Sequence, residues 1–210
     1  MIRPLVVGVI GGVASGKSEV TRYLEQLGAL VIHADAIGHE VLREREVIEV
    51  LRERFGNEII DAETGHIDRS RVASRVFGDS IEAETNRRTL ESVVHPRIRK
   101  RIRESLDEAL MHVRNPVVVL DVPLLIESGW IDSCNRVIFV DAPMETRWTR
   151  SQARGWSREQ FQARESAQVD IATKRQSATD ILGNAGSIES LHKEIDAWWR
   201  NHVADRRSDE

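Results

Sequence analysis

The chain has one cysteine, Cys134, among 210 residues. That excludes an intrachain disulfide and any cysteine-cluster metal site, and it fits a reducing compartment. Lysine is scarce, confined to Lys17, Lys100, Lys174 and Lys193. Positive charge is therefore nearly all arginine, a residue suited to phosphate recognition, although genome composition gives the same bias. Nor is there a surplus of positive charge: 30 Lys and Arg against 34 Asp and Glu leave a formal net charge of -4, which provides no overall basic footprint for nucleic acid. No apolar stretch is long enough to span a bilayer. The opening MIRPLVVGVIGG lacks a small-residue cleavage site, so a cleaved signal peptide is not expected. Internal repeats and low-complexity segments are also missing. With 40% hydrophobic and 30% charged residues, the expectation is a soluble, cytoplasmic protein built as one α/β domain with insertions.

The most informative stretch is Gly11 to Ser18, GGVASGKS, directly after the apolar run Leu5 to Ile10. It meets the phosphate-loop pattern GxxxxGK[ST] and has the required context, a buried strand before it and an amphipathic helix after it. Glycines let successive N–H groups turn inward around an anion, and the helix beginning near Lys17 aims its positive end at the same place. Lys17 would reach the β- and γ-phosphates of a nucleoside triphosphate, and the Ser18 hydroxyl would bind Mg2+. The loop does not identify the acceptor, since motors, switches and kinases all use it.

Further along, Val20, Tyr23, Leu24 and Leu27 mark the helix behind the loop, with Gly28 as its stop. A second strand, Ala29 to Ile32, leads into His33, Ala34 and Asp35. In an open α/β sheet ligands gather beyond the carboxyl ends of the strands, which makes Asp35 a candidate base or an orienter of magnesium-bound water; a helix N-cap is the structural alternative. Residues 47–110 read as mostly helical, with a loop or small hairpin from Asn57 to His66. Asp68 is expected to cap a helix whose inner side is Val72, Val76 and Phe77, and His95-Pro96 to mark a kink or helix start. The basic run Arg97, Arg99, Lys100, Arg101, Arg103 reads as a solvated helix face. A third strand, Pro116 to Leu120, ends at Asp121, a candidate magnesium-facing carboxylate within DVPLLIESG, where Glu127 is equally readable as surface. A fourth, Arg136 to Val140, precedes a helix with Arg147, Arg150 and Arg154, each able to face phosphate or to pair with Glu145, Glu159 or Glu165. Ser157 and Gln160 form a capping box. A fifth strand, Asp180 to Leu182, precedes a terminal helix with Leu191, Ile195, Trp198 and Trp199 inward, and the tail from Ala204 to Glu210 reads as frayed. Successive strand and helix units argue a parallel sheet wrapped by helices, with a helical insertion between the second and third strands.

In order and spacing, GVIGGVASGKS, HAD followed by IGHEVL, HPRIR, DVPLLIESG and ATDILGNAGS resemble the dephospho-coenzyme A kinases, from about Leu5 to Trp199. The resemblance implies a P-loop kinase fold with a five-stranded parallel sheet. The core would comprise residues 1–45, 115–145 and 178–203, with a helical CoA-binding insertion over about 46–114 and a lid over about 146–177. It also implies transfer of the γ-phosphoryl of ATP, with Mg2+, to the ribose 3′-hydroxyl of dephospho-CoA. Carried over by position, Asp35 is the base, and Gly12, Val13, Ala14, Ser15, Gly16, Lys17, Ser18 and Glu19 contact ATP. Arg150 and Arg154 are lid residues near the phosphates, and Asn184 lies near adenine. His95, Pro96 and Leu124 fall on the acceptor side, and Asp121 with Ser18 on the metal. Two positions depart from the family pattern, with His33 where an aspartate is usual and Glu19 where a threonine or similar residue is usual. A nucleoside or nucleoside monophosphate kinase and a non-catalytic ATP-binding switch are the alternative readings; the oligomeric state is not indicated.

Overall fold

Runs of β-branched residues form five parallel strands. They are β1 (Leu5–Gly11), β2 (Leu30–His33), β3 (Val117–Asp121), β4 (Arg136–Asp141) and β5 (Asp180–Gly183), in the spatial order β2-β3-β1-β4-β5. The structure, a computed structural model, describes residues 4–78, 80–111 and 117–203. Pro116, expected to open the third strand, and the tail 204–210 lie outside them. Strand boundaries differ from expectation by a residue or so at either end, where the ladder hydrogen bonding fades.

β1 is the central strand and is buried along its whole length. Its register sets Val7 opposite Val119 and Gly8 opposite Val137. Period-two alternation sends Leu5, Val7 and Val9 to one face. There they pack with Val20 and Leu24 of α1 (Lys17–Gln26) and with Leu191, Ile195 and Trp198 of α9 (Ile188–Val203). Trp199 is only partly buried against this cluster. On the other face, between Val6 and Ile10, Gly8 leaves room for Leu125 and Cys134. A Cβ there would lie 2.4 Å from Leu125 Cδ2 and 2.9 Å from Cys134 Sγ, closer than carbon packs.

Chain packing divides the molecule into two compact units, one made of the residues up to His33 with those from Leu106 onward, the other of Ala34–Ser105. The second unit holds α2 (Ala34–Val41), α3 (Arg45–Phe55), α4 (Arg69–Val76) and most of α5 (Ile81–Met111). Its core is Val41, Val47, Leu51, Phe55, Ile59, Ile67, Val72, Val76 and Val94. Gly56, at φ 86°, ends α3 as expected, and an Ile60–Ile67 bridge makes the following stretch a small hairpin. The Asp68 carboxylate accepts hydrogen bonds from the Ser70 and Arg71 N–H groups, the expected cap.

Three expectations are corrected. Phe77, read as inner, is 71% exposed, because α4 stops at Val76 and the chain turns extended at Phe77. Pro96 does not start a helix: α5 continues through it, since Arg97 donates from its guanidinium to the Val93 carbonyl and the apolar stripe carries on to Ile102. Asp35 is not the cap of α2, which begins one residue earlier at Ala34.

In the first unit, α6 (Met144–Gln152) and α7 (Arg158–Ser166) form a hairpin, α7 opening on the expected capping box. A short helix absent from the sequence reading, α8 (Ile171–Gln176), follows, capped by Asp170.

Candidate nucleotide and phosphoryl-transfer site

The loop GGVASGKS leaves the carboxyl end of β1 and enters α1 at Lys17. Its turn depends on backbone angles that favour glycine: Gly16 has φ +102°, and a Cβ there would lie 2.2 Å from Asn184 Nδ2. Ala14 holds φ 58° without being glycine, a local strain of the kind that accompanies binding loops. The Lys17 ammonium is drawn over its own loop and donates to the Gly11 and Gly12 carbonyls, each at 3.0 Å. Burial, reinforced by the like charge of Lys174, pushes Lys17 down to about 8. Ser18 is exposed in the first turn of α1.

Two side chains expected near ATP grip the far side of this loop. Asn184 is buried; its Nδ2 donates to the Ser15 carbonyl at 2.7 Å and its own N–H donates to Asp141 O. Arg150 donates to the same Ser15 carbonyl at 3.2 Å and to Asn184 Oδ1 at 3.1 Å. Burial and the neighbouring charge of Arg154 lower its pKa. Arg154 itself lies over Trp156.

The α6–α7 hairpin closes on the loop in a way the sequence left open. Val13 and Ala14 bury themselves against Phe161, with Trp148 and Trp156 packed around them. Of the three arginines, Arg147 is the buried one, at 5% exposure. It donates to the Ala142 carbonyl at 3.2 Å and to Glu165 Oε2 at 2.5 Å, while Glu165 Oε1 accepts the Val13 N–H at 2.7 Å. Gly12 makes room for this arrangement, since a Cβ would lie 2.5 Å from Arg147 Nη1 and 2.9 Å from Ile171 Cδ1. Pairing of one of these arginines with Glu165, an option the sequence left open, is realised by Arg147, but the reach of Glu165 to the loop was not read. No periodicity marks it, because one long charged side chain reaching a loop 152 positions away leaves no local pattern.

At the carboxyl ends of β2 and β3, His33 and Asp121 are register partners, and His33 Nδ1 lies 3.0 Å from Asp121 Oδ2, both side chains partly exposed. Asp121 also acts electrostatically on Lys17, so the His33–Asp121 pair belongs to the phosphate side of the sheet. Glu19, the other departure, is turned away: it pairs with Arg22 and, at 2.6 Å, with His192 Nε2, which hold its carboxyl below the usual range. His192 in turn stacks on Tyr23. Glu127 is exposed, as its surface reading had it, and its Oε1 accepts the Val169 N–H at 2.8 Å. Leu124 is 45% exposed at φ 55°, a strained backbone for a leucine.

Within the second unit, Asp35 stands exposed in the first turn of α2, and His95 and Pro96 are exposed on α5. The basic run is partly an ion-pair lattice rather than a freely solvated face: Arg101 meets Glu44 at 2.7 Å, and Arg97 lies 3.7 Å from both Glu44 and Glu46. With Lys100 and Glu104 these side chains line a cavity of about 520 Å³.

The site therefore has a cradle for polyphosphate, cations packed around it and carboxylates at the strand ends. The model of the family described as dephospho-CoA kinase matches residues 5–190 of the chain. A dephospho-CoA kinase of Thermobifida fusca is 39% identical over 198 residues, covering 93% of this chain and 94% of its own. That of Rhodopirellula baltica is 36% identical over 192 residues, 91% of this chain and 88% of its own. Among solved structures, a dephospho-CoA kinase from Campylobacter jejuni superposes with a TM-score of 0.73 at 27% identity, over 96% of this chain and 98% of that one. The Thermus thermophilus protein TT1252 gives the same TM-score at 36% identity, over 95% and 98%. With the loop, the parallel sheet and the whole-length match in agreement, the chain belongs to the dephospho-CoA kinase family.

Proposed function

We propose that this chain transfers the γ-phosphoryl of ATP to the ribose 3′-hydroxyl of dephospho-CoA, yielding CoA and ADP, and that the residues divide the work as follows. The observation that carries the reading is the phosphate loop at the end of the central strand, inside a family match running from residue 5 to 190. The loop amides and Lys17 bind the phosphates. Its ammonium exchanges two loop carbonyls for phosphate oxygens, and the opposite charge restores the protonated form that burial disfavours. Asn184 and Arg150 fix the loop from the adenine side through Ser15. Arg150 and Arg154 supply positive charge that balances the transferring group, a type of contact worth ~10³-fold or more in related chemistry.

Asp35 is the proposed base, an exposed carboxylate two residues past the end of β2 that takes the proton of the attacking hydroxyl. His95, Pro96 and Leu124 are the proposed acceptor-side residues, within a helical segment and a strained loop suited to holding a large substrate. Mg2+ suits the donor set: the Ser18 hydroxyl and the Asp121 carboxylate are oxygen ligands. No group of three or more His, Cys, Asp or Glu that could hold a metal ion is found among the described residues. Bound by the Ser18 and Asp121 oxygens, Mg2+ would neutralise charge on the β- and γ-phosphates. Among the described residues no helix is long and apolar enough to cross a membrane. We infer a cytoplasmic location, which a single cysteine fits.

The test is ADP release from ATP and Mg2+ with dephospho-CoA, adenosine, AMP or buffer as acceptor, the product being identified by mass. Release with dephospho-CoA alone, giving CoA, is expected. Release with AMP or adenosine instead would move the chain to another acceptor class, and bound ATP with no acceptor used would leave a switch.

A further inference from the structure

We propose that Lys174 is a second phosphate-binding cation of the nucleotide site, holding the terminal phosphoryl of ATP together with Lys17. The inference rests on the phosphate-loop reading above and adds a ligand that the motif does not contain.

Lys174 lies on α8, is 5% exposed, and donates from Nζ to a neutral oxygen, Gln168 Oε1, at 2.6 Å. An ammonium has three protons to place, and no ion pair within 4.0 Å among the described residues includes Lys174. Its helix face is fixed by Ile171, three residues earlier, whose Cδ1 lies 2.9 Å from where a Gly12 Cβ would be. Residues three apart share a helix face, so Lys174 stands on the face turned to the loop. Its charge is felt at Lys17, as are those of Glu165 and Arg147. Glu127, Glu165 and Asp170 partly compensate it at longer range.

Two buried ammonium groups sharing one small region repel each other, an arrangement that costs stability unless an anion joins them. Lys17 spends its hydrogen bonds on two carbonyls of its own loop and Lys174 spends one on a glutamine amide. Both are uncharged acceptors that an oxygen of the terminal phosphoryl outcompetes, because a charged acceptor roughly doubles the strength of the bond.

Lys174→Met tests this. Replacing a buried, unpaired ammonium by an apolar chain of similar length is neutral or stabilising, so the variant should melt at or above the wild-type temperature. Calorimetric titration with ATP and with ADP, each with Mg2+, should show ATP affinity reduced about tenfold or more and ADP affinity reduced clearly less. Rates with dephospho-CoA should fall in step with ATP binding. If Met is not accommodated, Lys174→Gln, which keeps a donor for Gln168, is judged by the same ratio. ATP affinity within twofold of wild type overturns the proposal. So does an equal loss for ATP and ADP accompanied by a lower melting temperature, which is the signature of a structural lysine. Wild-type protein that fails to bind ATP, or Lys17→Ala that binds it normally, would refute the phosphate-loop reading itself, and this inference with it.

Discussion

The Arg147–Glu165 pair offers a sharp energetic test, because both side chains serve the phosphate loop. Arg147 and Glu165 side chains are 6% and 19% exposed, at 2.5 Å separation. Removing one partner of a buried pair leaves the other charged and unpaired, at a cost of ~3–5 kcal/mol. Arg147 keeps its hydrogen bond to the Ala142 carbonyl, so Glu165→Leu should sit near the lower end of that range, about 3 kcal/mol. It also strips the Val13 N–H of its acceptor. At a domain size of 150–250 residues each kcal/mol shifts the melting temperature by ~2–4 °C, giving a drop of about 6–12 °C. Arg147→Met should destabilise less, since Glu165 still accepts the Val13 N–H. The double variant should be less destabilised than the sum of the two by roughly 1 kcal/mol or more, because neither charge is then stranded. Urea unfolding of the four nucleotide-free proteins at one pH measures this directly. Additivity within about 0.5 kcal/mol would refute the claim that the pair is a coupled buried unit.

Gly16→Ala should abolish ATP binding measured by titration while the fold, followed by circular dichroism, survives. The new Cβ meets Asn184 Nδ2 at 2.2 Å in a backbone conformation at φ +102°, so unchanged affinity would contradict the described loop. Lys17 should make stability depend on pH. Its folded value of about 8 lies below its ordinary 10.5, so the unfolded chain binds more protons between those values. Its contribution is complete above about 10.5, declines as pH falls and is gone below about 8. Relative to Lys17→Met, the nucleotide-free wild type should therefore gain on the order of 3 kcal/mol between pH 8 and 10.5; a flat difference would show that Lys17 is not buried as described. Asp35→Asn should retain ATP binding and lose turnover, and near-wild-type turnover would remove Asp35 from the base role.

Features encoded in consecutive residues were legible from sequence. GGVASGKS with its flanking strand and helix, the Asp68 cap and the Ser157–Gln160 capping box are all spelled out within a few positions, and the structure contains each of them. Five strands were countable because each is a short apolar run between helical stretches, whereas their order β2-β3-β1-β4-β5 is set by pairings that no local pattern records. Phe77 was misread because apolar character alone does not say where a helix ends. Around the site, the pairing of Arg147 with Glu165 was among the options left open, whereas the burial of Arg147, the reach of Glu165 to the loop and the place of Lys174 went unread for a related reason. In segments as polar as α6, α7 and α8, a charged residue that turns inward looks the same in sequence as one that faces water. Only the burial of Arg147 and Lys174 and the reach of Glu165 to Val13 separate them from their neighbours. His33 and Glu19, the two departures from the family pattern, have partners in Asp121 and His192, each contributed by a distant part of the chain.

The placement of β1 between β3 and β4, with the four-residue β2 and β5 at the two rims, assigns different lifetimes to segments that carry the proposed functional residues. Amides of a strand paired on both sides exchange with solvent only in the rarest openings, while short rim strands fray early. The phosphate loop grows from the protected strand, whereas Asp35 follows one rim and Asn184 the other. As denaturant or temperature rises, deuterium should enter the rims first. The proposed acceptor-side role of Asp35 and the proposed adenine-side role of Asn184 should then be lost before the central strand opens.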